Sequence, residues 1–320
     1  MYVISLCWSI FFKGDVLRVL VVMNPGAGQG VHLPFFLRRM LKLPQKEDLS
    51  AGELRERIDR GLRGQGVQPE FEGTQYPGHA TVLARQAAAE GFDAVVAVGG
   101  DGTVNEVVNG LAGTETALGI IPAGTANLFA AELGIPSDIQ AACAVVGQDV
   151  RKIIDLGFID GRYFTMMAGI GFDAHVVRLV DRRLKGQWGA FSYLIVALRE
   201  LVRYSFPRIE AITDTGESLF GYYAFVQNAC SYGSGFEASP GSRLDDGLFE
   251  VIVFPRRRFF TVIQYLLSAR KESFDVVTRS IRKLELRTPH DIQIDGDFFS
   301  QGPAVIELRA RSLHVLTARL

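Results

Sequence analysis

Three glycines and one aspartate, Gly99-Gly100-Asp101-Gly102, stand between two patterns of different period. Before them runs Ala94-Val95-Val96-Ala97-Val98, an apolar, valine-rich stretch that reads as a buried strand of a parallel sheet. After them Val104, Val107, Val108 and Leu111 recur at helical spacing. A strand-to-helix junction of this kind exposes backbone N–H groups at the positive end of a helix, which suits phosphate. A carboxylate repels phosphate, so Asp101 fits there with a divalent cation between the two. Mg²⁺ binds through one or two carboxylates plus substrate phosphates. The stretch reads as a nucleotide-phosphate and Mg²⁺ site, and a plain glycine turn is the alternative.

Two more apolar strands end in glycine-containing turns. Arg18 to Met23 runs into Asn24-Pro25-Gly26-Ala27-Gly28-Gln29-Gly30, which lacks both the Walker lysine and the dinucleotide spacing. Ala117 to Ile121 runs into Pro122-Ala123-Gly124-Thr125-Ala126-Asn127, ahead of a helix from Leu128 to Leu133. In open α/β sheets, ligands bind outside the carboxyl ends of the strands. Three turns converging on one sheet edge therefore say more than any one of them. Gln68 to Thr74 is a further short strand, and Thr74 can offer its hydroxyl to a phosphate or to a turn contact. Ser50 and Glu53 are spaced as a capping box for a helix beginning near Ala51. Another helix spans Ala80 to Glu90.

The chain has 320 residues, 48% apolar and 22% charged, enough for two domains with a sizeable core. Its net charge of −1 gives no basic field and no argument for nucleic acid. Cys7, Cys143 and Cys230 are widely spaced, which fits free thiols in a reducing cytosol and no metal-ligand pattern. Tyr2 to Phe12 is apolar but too short to span a bilayer and a poor signal peptide, so it reads as an extra strand or a frayed end.

From about Val150 hairpin signals dominate, in Ile153 to Ile159, Tyr163 to Ala168, Arg208 to Thr213, Leu219 to Ala229, Leu248 to Phe254 and Ile281 to Arg287. A domain of 1–148 with a parallel sheet and helices is expected, followed by a mostly antiparallel one of 149–320. The closing strands, Ala304 to Leu308 and Leu313 to Leu316, can return to the first domain. Two helices interrupt the second half. Trp188 to Tyr204 is apolar on most faces, and Pro255 to Lys271 carries Arg256-Arg257-Arg258 beside Phe259-Phe260. Basic residues beside aromatics suit anionic lipid, and an ordinary amphipathic helix packed on a sheet is the simpler reading.

Taken together, Asn24-Pro25 with its glycines, Gly99 to Asn105 and Gly124-Thr125-Ala126-Asn127 resemble the diacylglycerol kinase catalytic domain, in the bacterial branch of a lipid kinase family that includes sphingosine and ceramide kinases. The likeness continues in family order through Ile154-Asp155-Leu156-Gly157, Gly169-Ile170-Gly171-Phe172-Asp173, Leu244-Asp245-Asp246-Gly247-Leu248 and Ile294-Asp295-Gly296-Asp297. It implies an α/β domain, akin to those of NAD kinases and phosphofructokinases, that binds ATP, followed by a β-sandwich that holds the lipid. By position, Asn24, Pro25, Gly26, Ala27, Gly28, Thr74, Gly99, Gly100, Asp101, Gly102, Thr103, Val104, Asn105 and Thr125 would line ATP. Asp101 and Asp155 would hold the catalytic Mg²⁺, directly or through water. A further Mg²⁺ would sit on Asp246 with the backbone carbonyls of Arg243 and Leu248.

The family's late Asp-Gly-Glu supplies the general base. Here it is Asp295-Gly296-Asp297, one methylene shorter, so either Asp297 or Asp295 takes that role. Leu128 replaces an aspartate that many bacterial members carry, and an insertion around 33–50 is unusual. The resemblance implies ATP- and Mg²⁺-dependent transfer of a phosphoryl group to a lipid hydroxyl such as diacylglycerol, by a cytoplasmic enzyme seated peripherally on the inner face of the membrane. It leaves open a sphingoid base or another lipid alcohol as acceptor, and a homodimer. The rivals are an NAD kinase of the same superfamily and a non-catalytic protein that binds lipid and nucleotide.

Overall fold

The computed structural model describes residues 16–27, 49–180, 190–233, 236–268 and 270–318. Tyr2 to Phe12, Cys7, Gly28, residues 33–48 of the insertion and Trp188 lie outside the described residues.

Strands β1 (Arg18–Met23), β2 (Gln68–Gly73), β3 (Ala94–Gly99) and β4 (Ala117–Pro122) pair in parallel in the order β2-β1-β3-β4. β3 and β4 are buried at all six positions, as expected of strands covered on both faces. Each fully buried Val or Ile there contributes about 2 kcal/mol. The covering helices are α1 (Ala51–Gly64), α2 (His79–Ala89), α3 (Asp101–Leu111), α4 (Leu128–Glu132) and α5 (Ile139–Gly147). The capping box at the start of α1 is formed. Ser50 Oγ accepts from Glu53 N, and the Glu53 carboxylate accepts from Ser50 N.

The second half runs β5 (Arg151–Ile159), β6 (Arg162–Phe164), β7 (Met167–Gly171), α6 (Phe172–Leu179), α7 (Ala190–Glu200), β8 (Ile209–Thr213), β9 (Ser218–Gly221), β10 (Tyr223–Gln227), β11 (Ser231–Gly233) and β12 (Phe236–Glu237). It continues through β13 (Phe249–Phe254), α8 (Phe259–Leu267), β14 (Val277–Ile281), β15 (Lys283–Leu286), β16 (Asp291–Ile294), β17 (Asp297–Gln301) and β18 (Ala304–Leu316). An antiparallel sheet of order β14-β13-β10-β7-β16-β17 faces the antiparallel part of the first sheet. Ile159, Phe164, Ile170, Val226, Phe249, Val251, Leu284, Ile292 and Ile306 fill the sandwich between them. The fold is thus an α/β unit with a mostly parallel sheet plus an antiparallel β-sandwich. No helix among the described residues is long and apolar enough to cross a membrane.

Several elements differ in extent from the sequence reading. The expected strand Tyr163 to Ala168 is two strands, because the N–H groups of Thr165 and Met166 point at the Asp295 carboxylate instead of a neighbouring strand. The two expected closing strands are one, β18, irregular in register between Arg309 and Leu313. Arg311 there has φ 51° and gives its N–H to Asp155. β18 pairs in parallel with β4 near its end and antiparallel with β15 near its start, so one sheet runs through both halves. The helix expected over Pro255 to Lys271 is shorter, Phe259–Leu267.

His290, between β15 and β16, is only 4% exposed, and its Nε2 donates to Arg208 O. Its Nδ1 meets no partner among the described residues, and burial pushes its pKa below the usual 6.5. The unfolded chain therefore takes up this proton first as pH falls. Stability drops from about pH 6.5 downward until the folded-state pKa is reached, by at most about 1.4 kcal/mol per pH unit for one proton. Urea unfolding between pH 7.5 and 5.5 should show a steeper loss in wild type than in His290→Gln; equal slopes would remove His290 from the cause.

Candidate functional site

The parallel strands set the site. Met23 lies opposite Gly73 and Val98, and Gly99 opposite Pro122, so four carboxyl ends finish on one edge. Each following turn is tied to its neighbour. Thr74 N donates to Met23 O, Asn24 N to Val98 O, and the N–H groups of Ala123 and Gly124 both reach Gly99 O. Asn24, Pro25 and Gly26 are exposed on this edge and Ala27 is buried beneath them. Asn24 Oδ1 accepts from Gly26 N at 2.9 Å, and its Nδ2 donates to Thr103 Oγ1 at 3.3 Å. Thr125 is exposed beside them.

Gly124 is required by space. A Cβ there would stand 2.3 Å from Gly100 Cα, so the two turns touch backbone to backbone. Asn127, at φ 50°, closes the same turn by pairing its amide with the N–H and carbonyl of Gly124. Asp101 opens α3, with Gly102 exposed after it and Thr103, Val104 and Asn105 buried. Asp101 Oδ1 accepts from Phe129 N at 3.2 Å, at the start of α4. Burial pushes the Asp101 carboxyl up, while the N–H groups of Phe129 and its neighbours pull it down. A cation beside it would favour the ionised form. A lone carboxylate is a donor that Mg²⁺ can share with substrate phosphates.

Helix α3 reaches the other half of the chain. Asn105 Nδ2 donates to Asp295 Oδ2 at 2.6 Å. Asn109, one turn on, pairs both ways with Tyr163: its Nδ2 donates to Tyr163 O, and its Oδ1 accepts from Tyr163 N. Asp295 also accepts from the N–H groups of Thr165, Met166 and Met167 and from the Thr165 hydroxyl. Burial raises the Asp295 pKa, and those backbone donors oppose the rise. Both Asp295 oxygens are thus occupied, whereas Asp297, two residues on, is exposed.

Asp155 is placed differently from its neighbours in the expected metal set. It is 1% exposed, and its two oxygens accept from Gly247 N and Arg311 N, each at 2.7 Å. This is the geometry of a clamp between the Asp245-Asp246-Gly247 turn and β18. Within the turn, Asp246 is exposed and accepts from Leu248 N, while Asp245 pairs with Arg243 and Lys152. Among the described residues, no group of three or more His, Cys, Asp or Glu side chains is placed to hold a metal.

Sequence reasoning gave no role to Asn109, Glu106, Asp173 or Gln293. Glu106 fixes the start of α2 by accepting from Gly78 N and Ala80 N. The i, i+4 spacing of Asn105 and Asn109 was a usable signal, because it sets two amides on one helix face.

Comparison with known proteins matches both halves of the chain. A family model of the diacylglycerol kinase catalytic domain matches residues 18–159, and one of the YegS C-terminal NAD kinase beta sandwich-like domain matches 166–317. The diacylglycerol kinase of Staphylococcus haemolyticus is 30% identical over 271 residues, covering 81% of each chain. The chain belongs to the diacylglycerol kinase family of lipid kinases. A diacylglycerol kinase of Bacillus subtilis is 29% identical over 310 residues, 93% of this chain and 96% of that protein. A solved diacylglycerol kinase structure from Bacillus anthracis shares the fold, with a TM-score of 0.71 at 21% identity over 96% of this chain and 98% of that one.

Asp155→Asn should destabilise the lipid kinase by about 1–3 kcal/mol, because an amide nitrogen would face one of two buried N–H donors. Asp101→Asn should change stability far less. Denaturant unfolding of both variants checks this, and equal stabilities would contradict the clamp.

Proposed function

We propose that this family member transfers the γ-phosphoryl group of ATP, with Mg²⁺, to the hydroxyl of a membrane lipid, diacylglycerol first among candidates. The observation that carries the reading is the path of α3. Its first residue, Asp101, stands among the glycine turns, and its Asn105 holds the turn that bears Asp297.

Phosphoryl transfer is mostly positioning and charge neutralisation. The turns after β1, β3 and β4 offer backbone N–H groups to the ATP phosphates, with Asn24, Thr74, Thr103 and Thr125 at their rim. Mg²⁺ held by Asp101 would offset charge on the transferred group, and Asp246 with the Arg243 and Leu248 carbonyls would take a second, structural ion. Asp297 accepts the proton of the lipid hydroxyl. Its exposure suits that role better than the fully engaged Asp295, which fixes the turn. Base catalysis by a positioned side chain contributes typically about 10²–10⁴-fold.

The lipid acceptor places the enzyme at a membrane surface. Phe259 turns inward, 5.2 Å between ring centroids from Phe172, while Phe260 is 74% exposed beside Arg256, Arg257 and Arg258. On α7 Ile195 and Leu198 are exposed, and Val202 beyond its end is 88% exposed. The bundled aromatic rings of Phe172, Tyr204, Phe206 and Phe259 hold these two regions together.

Purified protein with labelled Mg-ATP and a panel of lipid alcohols in mixed micelles tests the reading, with products separated by thin-layer chromatography. A labelled phospholipid from diacylglycerol is expected. It should vanish in Asp101→Asn and fall by about 10²-fold or more in Asp297→Asn. Label on a sphingoid base alone would move the substrate. Label on NAD alone, or none on any acceptor despite bound ATP, would overturn the reading.

A further inference from the structure

The Asp295-Gly296-Asp297 turn has a second anchor that the chemistry above leaves unused. Gln293, in β16, is 3% exposed. Its Oε1 accepts from Gly296 N at 2.8 Å, and its Nε2 donates to Asp173 Oδ2 at 2.8 Å. Asp173, in the first turn of α6, accepts on its other oxygen from the Tyr232 hydroxyl at 2.7 Å. A half-buried chain of phenol, carboxylate and amide thus runs from β11 to the peptide between Asp295 and Asp297.

Two features show that the space is fitted to this chain. Gly169 lies opposite Gln293 in the sheet, and a Cβ there would come 2.0 Å from Asp173 Oδ2 and 2.6 Å from Gln293 Nε2. The orientation of the Gln293 amide is also dictated. Gly296 N–H can only donate and the Asp173 carboxylate accepts, so reversing the amide would set donor against donor and acceptor against acceptor. The turn needs such a hold. Asp295 has φ 48° and Gly296 φ 82°, so both sit in the left-handed region, which is costly for aspartate.

We propose that Asp173 and Gln293 are positioning residues for phosphoryl transfer: they fix the Gly296 peptide and thereby the stance of the Asp297 carboxylate. The inference rests on the reading of Asp297 as the base. Neither residue touches the reacting atoms, and both act through the turn.

The test exchanges the polarity of the pair. In Gln293→Glu a carboxylate still accepts from Gly296 N but faces the Asp173 carboxylate. In Asp173→Asn one of two donors loses its acceptor. In the double variant, Asn at 173 donates to Glu at 293, which accepts from Gly296, and the Tyr232 hydroxyl keeps its acceptor. Each single variant should lose about 10-fold or more in kcat, with KM for Mg-ATP within about twofold of wild type, and the double should recover to within about threefold. Losses that multiply in the double overturn the proposal, as does a double variant that fails to fold while both singles fold. If a single variant does not fold, the double decides alone: folded and active supports the exchange, folded and inactive overturns it. Asp297→Asn run alongside separates the two readings. Full activity there removes the base while leaving a rescued pair as the orienter of the turn. An inactive Asp297→Asn with an unrescued pair removes the positioning role alone.

Discussion

One side-chain hydrogen bond, from the Asn105 amide to the Asp295 carboxylate, joins the helix that leaves the glycine-turn edge of the parallel sheet to the turn that carries Asp297. Its donor lies one turn into the helix that Asp101 opens. Its acceptor is held by three consecutive backbone N–H groups, from Thr165 to Met167, which oppose the rise that burial gives its pKa. The ends of this bond are 190 residues apart in the chain. The glycine turns and the turn of Asp297 are therefore positioned relative to each other by one helix, with Asn109 and Tyr163 bonded reciprocally a turn further along. A transfer that depends on in-line placement of two oxygens and a phosphorus is sensitive to displacements of this scale.

Other contacts across the same seam use the same device, a carboxylate set against backbone N–H. Asp155 holds Gly247 and Arg311, and Glu132 at the end of α4 accepts from Cys230 N and the Ser231 hydroxyl. Each charge-assisted bond of this kind is worth roughly 1.5–3 kcal/mol when buried. They add to an apolar core shared by both halves, with Ile121 and Phe129 in the same cluster as Phe172 and Tyr223.

The layout of the sheet was legible because it depends on local pattern. Valine runs, glycine turns and the Ser50–Glu53 spacing each announce an element within a few residues. The glycine turns also located the sheet edge on which they meet. Long-range pairings have no such signal. Asp155 sits in a motif that implied a metal ligand, and nothing near it in sequence announced that its oxygens accept from the backbone of residues far along the chain. Thr165 and Met166 read as mid-strand residues until their N–H groups are seen to point at Asp295. β18 looked like two strands because the Arg311 bulge that serves Asp155 breaks the alternation.

The most direct test of the coupling through α3 is a double-variant cycle of Asn105→Ala with Asp297→Asn, read as kcat and KM for Mg-ATP in lipid phosphorylation. If Asn105 acts through the turn, Asn105→Ala lowers kcat with KM for Mg-ATP unchanged, and the double variant is no slower than Asp297→Asn alone. If Asn105 instead serves only the nucleotide, Asn105→Ala raises KM for Mg-ATP and the two losses multiply, which would contradict the account.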